Sequence, residues 1–501
     1  MLTITIAKVK KEFRKANQKD KHYFSIKMLK NKFHDFFVQN LDFELTKKQV
    51  LLQEILADYL FNSTDREILL IKGYAGTGKT TMLSLLVKTL KHLRYRTVLM
   101  APTGRAAKVL SAYSGSQAFT IHKKIYRQKT SKDDTGRFVL DKNLYTDTLF
   151  IVDESSMLSN NGQEGSVFGS GRLLDDMLDF VFGGTNCKLI LSGDTAQLPP
   201  VGSWLSPALD AGELKSMGYG VTEVLLDEVV RQNTDSNILL NATHLRKQMA
   251  EIQVIYPCFI TGYDTDVVRL DGSMLLETIS ETYAKYGVDG TIVVCRTNKR
   301  ANIFNQGIRN QILFYEDEIS SGDRLMIVKN NYNWLPENES LDFLANGDIV
   351  KIKRIGRYEE RYGYRFLNVD ILLPDYDNYE LSCKIMLDTL GMETPALTME
   401  QSRSFFYAVA EDYATISDSK KRWKAVREDP YYSAVQVKFA YAVTCHKAQG
   451  GQWDAVFVDQ GWFKEDMLDT GYLRWLYTAV TRPIKKLYLL NFKPEFFPPE
   501  Q

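Results

Sequence analysis

The chain has 501 residues, 44% of them apolar and 25% charged, and its 63 Lys and Arg are nearly balanced by 62 Asp and Glu. That length exceeds what one core fills and implies about three or four structural units, while the ordinary apolar content argues against a disordered chain. A near-neutral total excludes long-range attraction of polyanions by the whole molecule, so any nucleic-acid surface must be a local patch. Five widely spaced cysteines with no CxxC pair argue against a disulfide framework or a zinc site and fit a reducing cytoplasm. No apolar run approaches the roughly 18 residues of a membrane-spanning helix, and the basic N-terminus lacks the apolar stretch of a signal peptide.

The first 33 residues hold ten Lys and Arg against Glu12 and Asp20. Phe24, Met28, Leu29, Phe33, Phe36 and Phe37 recur at three- and four-residue spacing, which predicts an amphipathic helix over 22–41. Its basic residues are a solvated face or a DNA-touching extension. From about residue 45 the pattern becomes α/β. The runs ILLIKG (68–73), TVLMAP (97–102), TLFIVDE (148–154) and KLILSGD (188–194) predict buried parallel strands, with helices over 79–93 and 104–113 between them. Polar alternation around Asp134-Thr135-Gly136 predicts a hairpin between Tyr126 and Asp147. A second α/β unit starts at TIVVCRTNKRANIFNQGI (291–308) and resumes with VQVKFAYAVTCHKAQG, DAVFVD (454–459) and LYLLNF (487–492). Short β-runs and a charged helical stretch fill roughly 315–433, which predicts a small β-domain inserted in the second unit.

The segment Gly73–Thr80, GYAGTGKT, follows a predicted strand and opens a predicted helix. Its glycines let backbone amides approach phosphate oxygens, Lys79 supplies a cation to the terminal phosphates, and the Thr80 hydroxyl is placed for Mg²⁺. Gly73, Gly76, Thr77, Gly78, Lys79, Thr80 and Thr81 are the candidate nucleotide-binding residues. Asp153 and Glu154 end an apolar strand, Asp153 as the Mg²⁺-side carboxylate and Glu154 as the group polarising the attacking water. Gln197 follows another strand end and is the candidate γ-phosphate sensor. Arg231 and Arg482 are candidate arginine fingers, because a planar guanidinium suits the charge of phosphoryl transfer. Gln49, in LTKKQ, is a candidate adenine reader.

With LTKKQ, GYAGTGKTT, APTGRAAKVL (101–110), FTIHKKIY (119–126), VDESSM (152–157), GDTAQLPPVG (193–202), VVRQ (229–232), GDRLMIVKNNY (322–332), NGDIVKI (346–352), YAVTCHKAQGGQW (441–453) and LYTAVTR (476–482) in order, the chain resembles superfamily 1B helicases of the RecD-like, Dda-like group over about 45–482. The resemblance implies two RecA-like lobes with parallel sheets and ATP with Mg²⁺ between them. It also implies a β-hairpin insertion in lobe one that splits duplex DNA, and an SH3-like β-barrel inserted in lobe two. The corresponding division is a basic N-terminal extension (1–44), lobe one (45–235, hairpin about 127–147), lobe two (236–314 plus 434–501) and the barrel with a helical elaboration (315–433). Thr103, His122, Thr297, Asn298, Thr444 and His446 are the implied DNA contacts, their hydroxyls, amides and rings suited to phosphate and sugar; His446 as a core histidine is the alternative. Phe138 either meets the junction or packs in the hairpin.

Two features depart from the family pattern. SNNGQEGSVFGSG (159–171) is a longer Gly/Ser-rich loop than a tight turn needs, and the helical segment 401–430 elaborates the barrel. The implied activity is a monomeric cytoplasmic ATP-dependent helicase moving 5′ to 3′ on single-stranded DNA, working beside single-strand-binding, replication or repair proteins. The alternatives are a translocase that strips proteins without unwinding, an RNA helicase, and a phosphate-loop switch that does not translocate.

Overall fold

The computed structural model describes residues 18–62, 64–128, 138–162, 168–230, 236–251, 254–262, 264–335 and 343–499. Eighteen strands occur among them. In chain order they are β1 (Glu67–Gly73), β2 (Arg96–Ala101), β3 (Ala118–Thr120), β4 (Tyr126–Gln128), β5 (Phe138–Leu140), β6 (Thr148–Val152), β7 (Lys188–Gly193), β8 (Gly220–Leu226) and β9 (Val267–Leu270). There follow β10 (Thr291–Cys295), β11 (Arg324–Ile327), β12 (Ile349–Arg361), β13 (Tyr364–Leu373), β14 (Tyr379–Met386), β15 (Val435–Phe439), β16 (Ala442–Thr444), β17 (Trp453–Asp459) and β18 (Pro483–Leu490).

The first lobe is built on a six-stranded parallel sheet ordered β3-β2-β6-β7-β1-β8. Its inner strands are apolar through their centres because both faces are covered, and alternate side chains serve opposite faces. Leu69 and Ile71 of β1 pack with Phe33, Phe37, Leu52 and Leu86 on one face. Ile68 and Leu70 pack with Ile121, Phe150 and Leu174 on the other. Each such side chain contributes about 1.5–3 kcal/mol by leaving water. The helix Gln18–Gln39 is held to this lobe by Phe33 and Phe37, both fully buried. Strands β4 and β5 form an antiparallel ribbon pairing Tyr126 with Leu140 and Gln128 with Phe138. The turn predicted at Asp134–Gly136 lies outside the described residues. Phe138 is buried at the ribbon's base, its ring 4.5 Å from that of Tyr332 and 5.0 Å from that of Phe168. That packing fits a hairpin core residue and removes Phe138 from any exposed tip.

The second lobe carries a five-stranded parallel sheet ordered β16-β10-β17-β18-β9. Strands β11 to β15 close into a barrel whose interior is continuous with one face of this sheet, Val350, Val369 and Val437 packing in one cluster with Val293 and Phe457. Here the sequence pattern misassigns a strand. VQVKF, given to the second lobe, is β15, which pairs antiparallel with β11 and parallel with β14 to close the barrel. The chain passes to β16 with no Gly or Pro, and the Asn305 side chain holds the crossing by accepting from the amides of Tyr441 (3.0 Å) and Ala442 (2.7 Å). A buried tie joins barrel and lobe, Arg309 donating to both carboxylate oxygens of Asp323 at 2.8 and 2.9 Å, with the Tyr441 hydroxyl donating at 2.9 Å.

Candidate active site and nucleic-acid interface

The phosphate loop runs from the end of β1 to the helix Lys79–His92. Gly76 (φ 74°) and Gly78 (φ 81°) take left-handed backbone, and a Cβ on Gly78 would stand 2.6 Å from the Gln49 amide nitrogen. Lys79 Nζ donates to the carbonyls of Gly73 (2.6 Å) and Tyr74 (3.1 Å). Thr77 is buried and its hydroxyl donates to Tyr74 O at 2.8 Å, Thr80 is half-buried, and Thr81 is exposed in the first helical turn. Gln49 reaches this loop, but its amide is engaged within the protein. It donates to Thr77 O at 3.0 Å and accepts from Thr46 N at 3.0 Å, so it braces the loop in this structure.

Asp153 and Glu154 stand at the carboxyl end of β6. Asp153 accepts from the Ser192 hydroxyl of β7 at 2.9 Å. Glu154 is a non-glycine residue at φ 54°, a strained left-handed position that turns the chain directly after the strand. Burial raises the pKa of both carboxyls; the neighbouring Asp153 charge raises Glu154 further, while Arg482 and Lys79 pull it down. Gln197 is buried 6% exposed, and its Oε1 has no hydrogen-bond partner. An acceptor left orphaned just past β7, the strand between the one that ends in the two carboxylates and the one that ends in the glycine cradle, fits a nucleoside triphosphate and the water that attacks it. Among the described residues no three His, Cys, Asp or Glu gather to hold a metal.

The second lobe reaches into this site. Ala75 N donates at 2.8 Å to the hydroxyl of Tyr477, and that hydroxyl donates at 2.6 Å to Asp194 Oδ2. Leu198 N donates to Thr478 Oγ1 (2.8 Å), and Gln449 Nε2 donates to Leu198 O (2.7 Å). Arg482 is buried and held within its own lobe, donating to Thr478 O (2.9 Å), Gly451 O (3.3 Å) and Thr481 Oγ1 (3.1 Å). Arg231 lies outside the described residues. The bridging residues Tyr477, Thr478 and Gln449 were missed as individuals. A signal is present in the sequence: Tyr477 and Thr478 are polar groups in the buried second half of the helix Thr470–Val480, five and four positions before Arg482.

A common local design appears at the other strand ends. Thr103 follows β2 and caps the helix Gly104–Ser114, accepting from Ala106 N at 3.2 Å. Thr120 ends β3 and caps Ile121–Ile125, accepting from Lys123 N at 3.2 Å. In the second lobe Thr297 follows β10 and caps Asn298–Gln311, accepting from Arg300 N at 3.2 Å, and Thr444 ends β16 as the N-cap of Cys445–Ala448. In each sheet, two adjacent strands thus end in threonine at a helix N-terminus, where amides and the helix dipole favour phosphate. Thr120 was not singled out, although FTIHKK carries the same strand–Thr–helix pattern as APTGRAA.

Thr103, Thr120 and His122 come together on one wall of a cavity of about 990 Å³. The base of the hairpin and Phe168 add to that wall, and barrel residues including Lys329, Asn330 and Asn346 form the opposite one. Burial lowers the His122 pKa to about 4, so its ring is neutral near pH 7, and it stands edge-on to Phe168 with centroids 4.8 Å apart. Thr297, Asn298, Thr444 and His446 lie outside this wall, at the strand ends of the second sheet. His446 is exposed and so is no core histidine. The segment that carries it still approaches the first wall: a Cβ on Gly450 would be 3.5 Å from Thr103 Oγ1, and Lys447 donates to Asn346. The lobes also meet through Arg105, stacked 3.9 Å over the Trp453 ring.

Two parallel-sheet lobes, a phosphate loop on one, a hydrogen-bonded bridge from the other, and a barrel beside the cavity make up a two-lobed phosphate-loop architecture. An AAA domain model matches residues 52–256 and a UvrD-like helicase C-terminal domain model matches 439–490. These two matches, which cover separate parts of the chain, support an ATP-hydrolysing helicase of the superfamily 1B, RecD-like kind. An uncharacterized protein of Acanthamoeba polyphaga mimivirus is 21% identical over 88% of this chain and 98% of its own length. The ATP-dependent RecD2 DNA helicase of Deinococcus radiodurans is 29% identical over 38% of this chain, a match spanning 23% of that protein. Among solved structures, a Bacteroides Pif1 helicase in complex with ADP-AlF3 and single-stranded DNA superposes with TM-score 0.45 at 14% identity, covering 92% of this chain and 95% of that one. Pif1 from Candida albicans gives TM-score 0.43 at 17% identity, covering 91% and 96%. No helix among the described residues is long and apolar enough to cross a membrane.

Proposed function

We propose that the chain uses ATP and Mg²⁺ to move 5′ to 3′ along single-stranded DNA and to unwind the duplex it meets. Lys79 and the amides of Gly73–Thr80 hold the phosphates, with Thr80 and Asp153 on the Mg²⁺ side. Glu154 polarises the attacking water, Gln197 accepts a hydrogen bond from it, and Arg482, with Arg231, neutralises the leaving phosphate. The observation that carries this reading is the Ala75–Tyr477–Asp194 bridge, a direct link from phosphate loop to second lobe. Loss of the γ-phosphate changes the loop on one side of that link, so the second lobe shifts against the first. Thr103 and His122 on one lobe and Thr297, Asn298, Thr444 and His446 on the other then grip the strand alternately. The hairpin between Tyr126 and Asp147 parts the incoming pairs. Polarity follows from the resemblance to subclass 1B.

The test is ATPase stimulation. Single-stranded DNA should stimulate turnover in the wild type, poly-dT more than poly-U, and Lys79→Ala should abolish it. Turnover indifferent to nucleic acid would leave only a phosphate-loop switch, and preference for poly-U would move the substrate to RNA.

A further inference from the structure

The helix Ser419–Glu428, part of the elaboration on the barrel, has no place in the mechanism above. Its ten residues carry Lys420, Lys421, Arg422, Lys424 and Arg427 against a single acid, Glu428, in a chain whose total charge is only +1. One face is fixed by packing. Val426 is fully buried with Phe366 and Phe405, and the Trp423 ring lies 5.2 Å from that of Phe406. With that face turned inward, Lys420, Lys424 and Arg427, spaced i, i+4, i+7, form one outward stripe about 10 Å long, and all three are exposed. Elsewhere on this domain cations meet acids closely, Arg354 with Asp370 and Arg361 with Asp412 at 2.7 Å. Lys424 meets Glu428 only at 3.7 Å with both groups exposed, a pair of little energetic consequence.

The stripe leads to the cavity. Arg427 lines it together with Phe406 and Tyr432, and Lys329 lies on the same barrel wall, its pKa lowered by burial. We propose that the single strand held in the cavity continues onto this helix, its phosphates running along Arg427, Lys424 and Lys420. This rests on the reading of the cavity as the strand's channel. The occupant is single-stranded because the stripe opens off a channel between lobe one and barrel, and because Phe406 and Tyr432 among its lining add aromatic surface suited to unpaired bases, which a duplex keeps stacked. Lysines on the open face grip backbone without reading sequence.

The experiment is fluorescence anisotropy with labelled oligo-dT of about 8 and about 30 nucleotides and a blunt duplex, at several salt concentrations, for the full chain and Lys420→Ala/Lys424→Ala. The ratio of long- to short-strand affinity should fall about tenfold in the variant, and the salt slope for the long strand should shrink by about 1.4, two contacts at roughly 0.7 each. Lys420→Arg/Lys424→Arg keeps both charges and should restore the ratio. Equal losses on both strands, no loss, or a loss confined to the duplex would overturn the proposal. A wild type that binds neither strand would instead overturn the channel itself.

Discussion

Replacing Tyr477 by Phe removes one oxygen and leaves the ring, so no cavity opens and the effect is that of the hydroxyl alone. That hydroxyl is buried, accepts from Ala75 N at 2.8 Å and donates to Asp194 Oδ2 at 2.6 Å. Asp194 is buried as well and keeps only the bond from Ala196 N on its other oxygen. A hydrogen bond to a charged group contributes about 1.5–3 kcal/mol and an orphaned amide costs about 1 more, so the contact between phosphate loop and second lobe should weaken by roughly 3 kcal/mol. A change of that size raises the opening equilibrium about a hundredfold. Hydrogen exchange followed by mass spectrometry on the peptide containing Ala75 reads this directly, with peptides from β17 in the second lobe as the internal standard. Protection at the loop should fall about a hundredfold while β17 is unchanged, and single-strand-stimulated turnover should fall with it. Loop protection unchanged within about threefold would refute the view that this hydroxyl joins the lobes.

Two further substitutions probe different groups. Glu154→Gln keeps the size of the side chain and tolerates the same left-handed backbone, so ATP binding should persist while turnover falls about 10²–10³-fold; a fall of less than tenfold would remove Glu154 from the water-activating role. Asp348, fully buried on the barrel where it meets lobe one, has its pKa raised to about 7 by burial, against bonds from Ala345 N and the Tyr376 hydroxyl. The folded pKa is above the ordinary 3.8, so the folded protein holds this proton more tightly; the contribution is full below pH 3.8 and lost as pH rises through about 7. The melting temperature of wild type minus that of Asp348→Asn should therefore decline across this window, and a pH-independent difference would contradict the assignment.

Much of the fold was legible because its signals are local. A phosphate loop needs glycine at positions like Gly76 and Gly78 whatever surrounds it, and strands such as β1 and β10, covered on both faces, read as unbroken apolar runs. What stayed hidden depends on distant partners. Strands β8 and β9 carry Glu223 and Arg269 within short segments, so they lack the apolar run of their neighbours. The boundary between β15 and β16 is set by Asn305, more than a hundred residues earlier, and not by any turn residue at the crossing. In the site, Lys79, Asp153, Glu154 and Gln197 follow from their places after strands. The roles of Gln49 and Tyr477 depend on what each faces: Gln49 on Thr77 and Tyr477 on Ala75 and Asp194. The Gly/Ser-rich loop gave no hint that Phe168 would bridge to Phe138 and pack against His122 and Tyr332.

The central claim is that cleft chemistry drives directional strand movement, and matched duplexes test it. One carries a 5′ single-stranded tail and the other a 3′ tail of the same length, and ATP-dependent strand separation is followed for both. Opening of the 5′-tailed duplex alone is the predicted result. Opening of the 3′-tailed duplex alone would contradict the proposed direction, and vigorous DNA-stimulated ATPase with neither duplex opened would contradict unwinding itself.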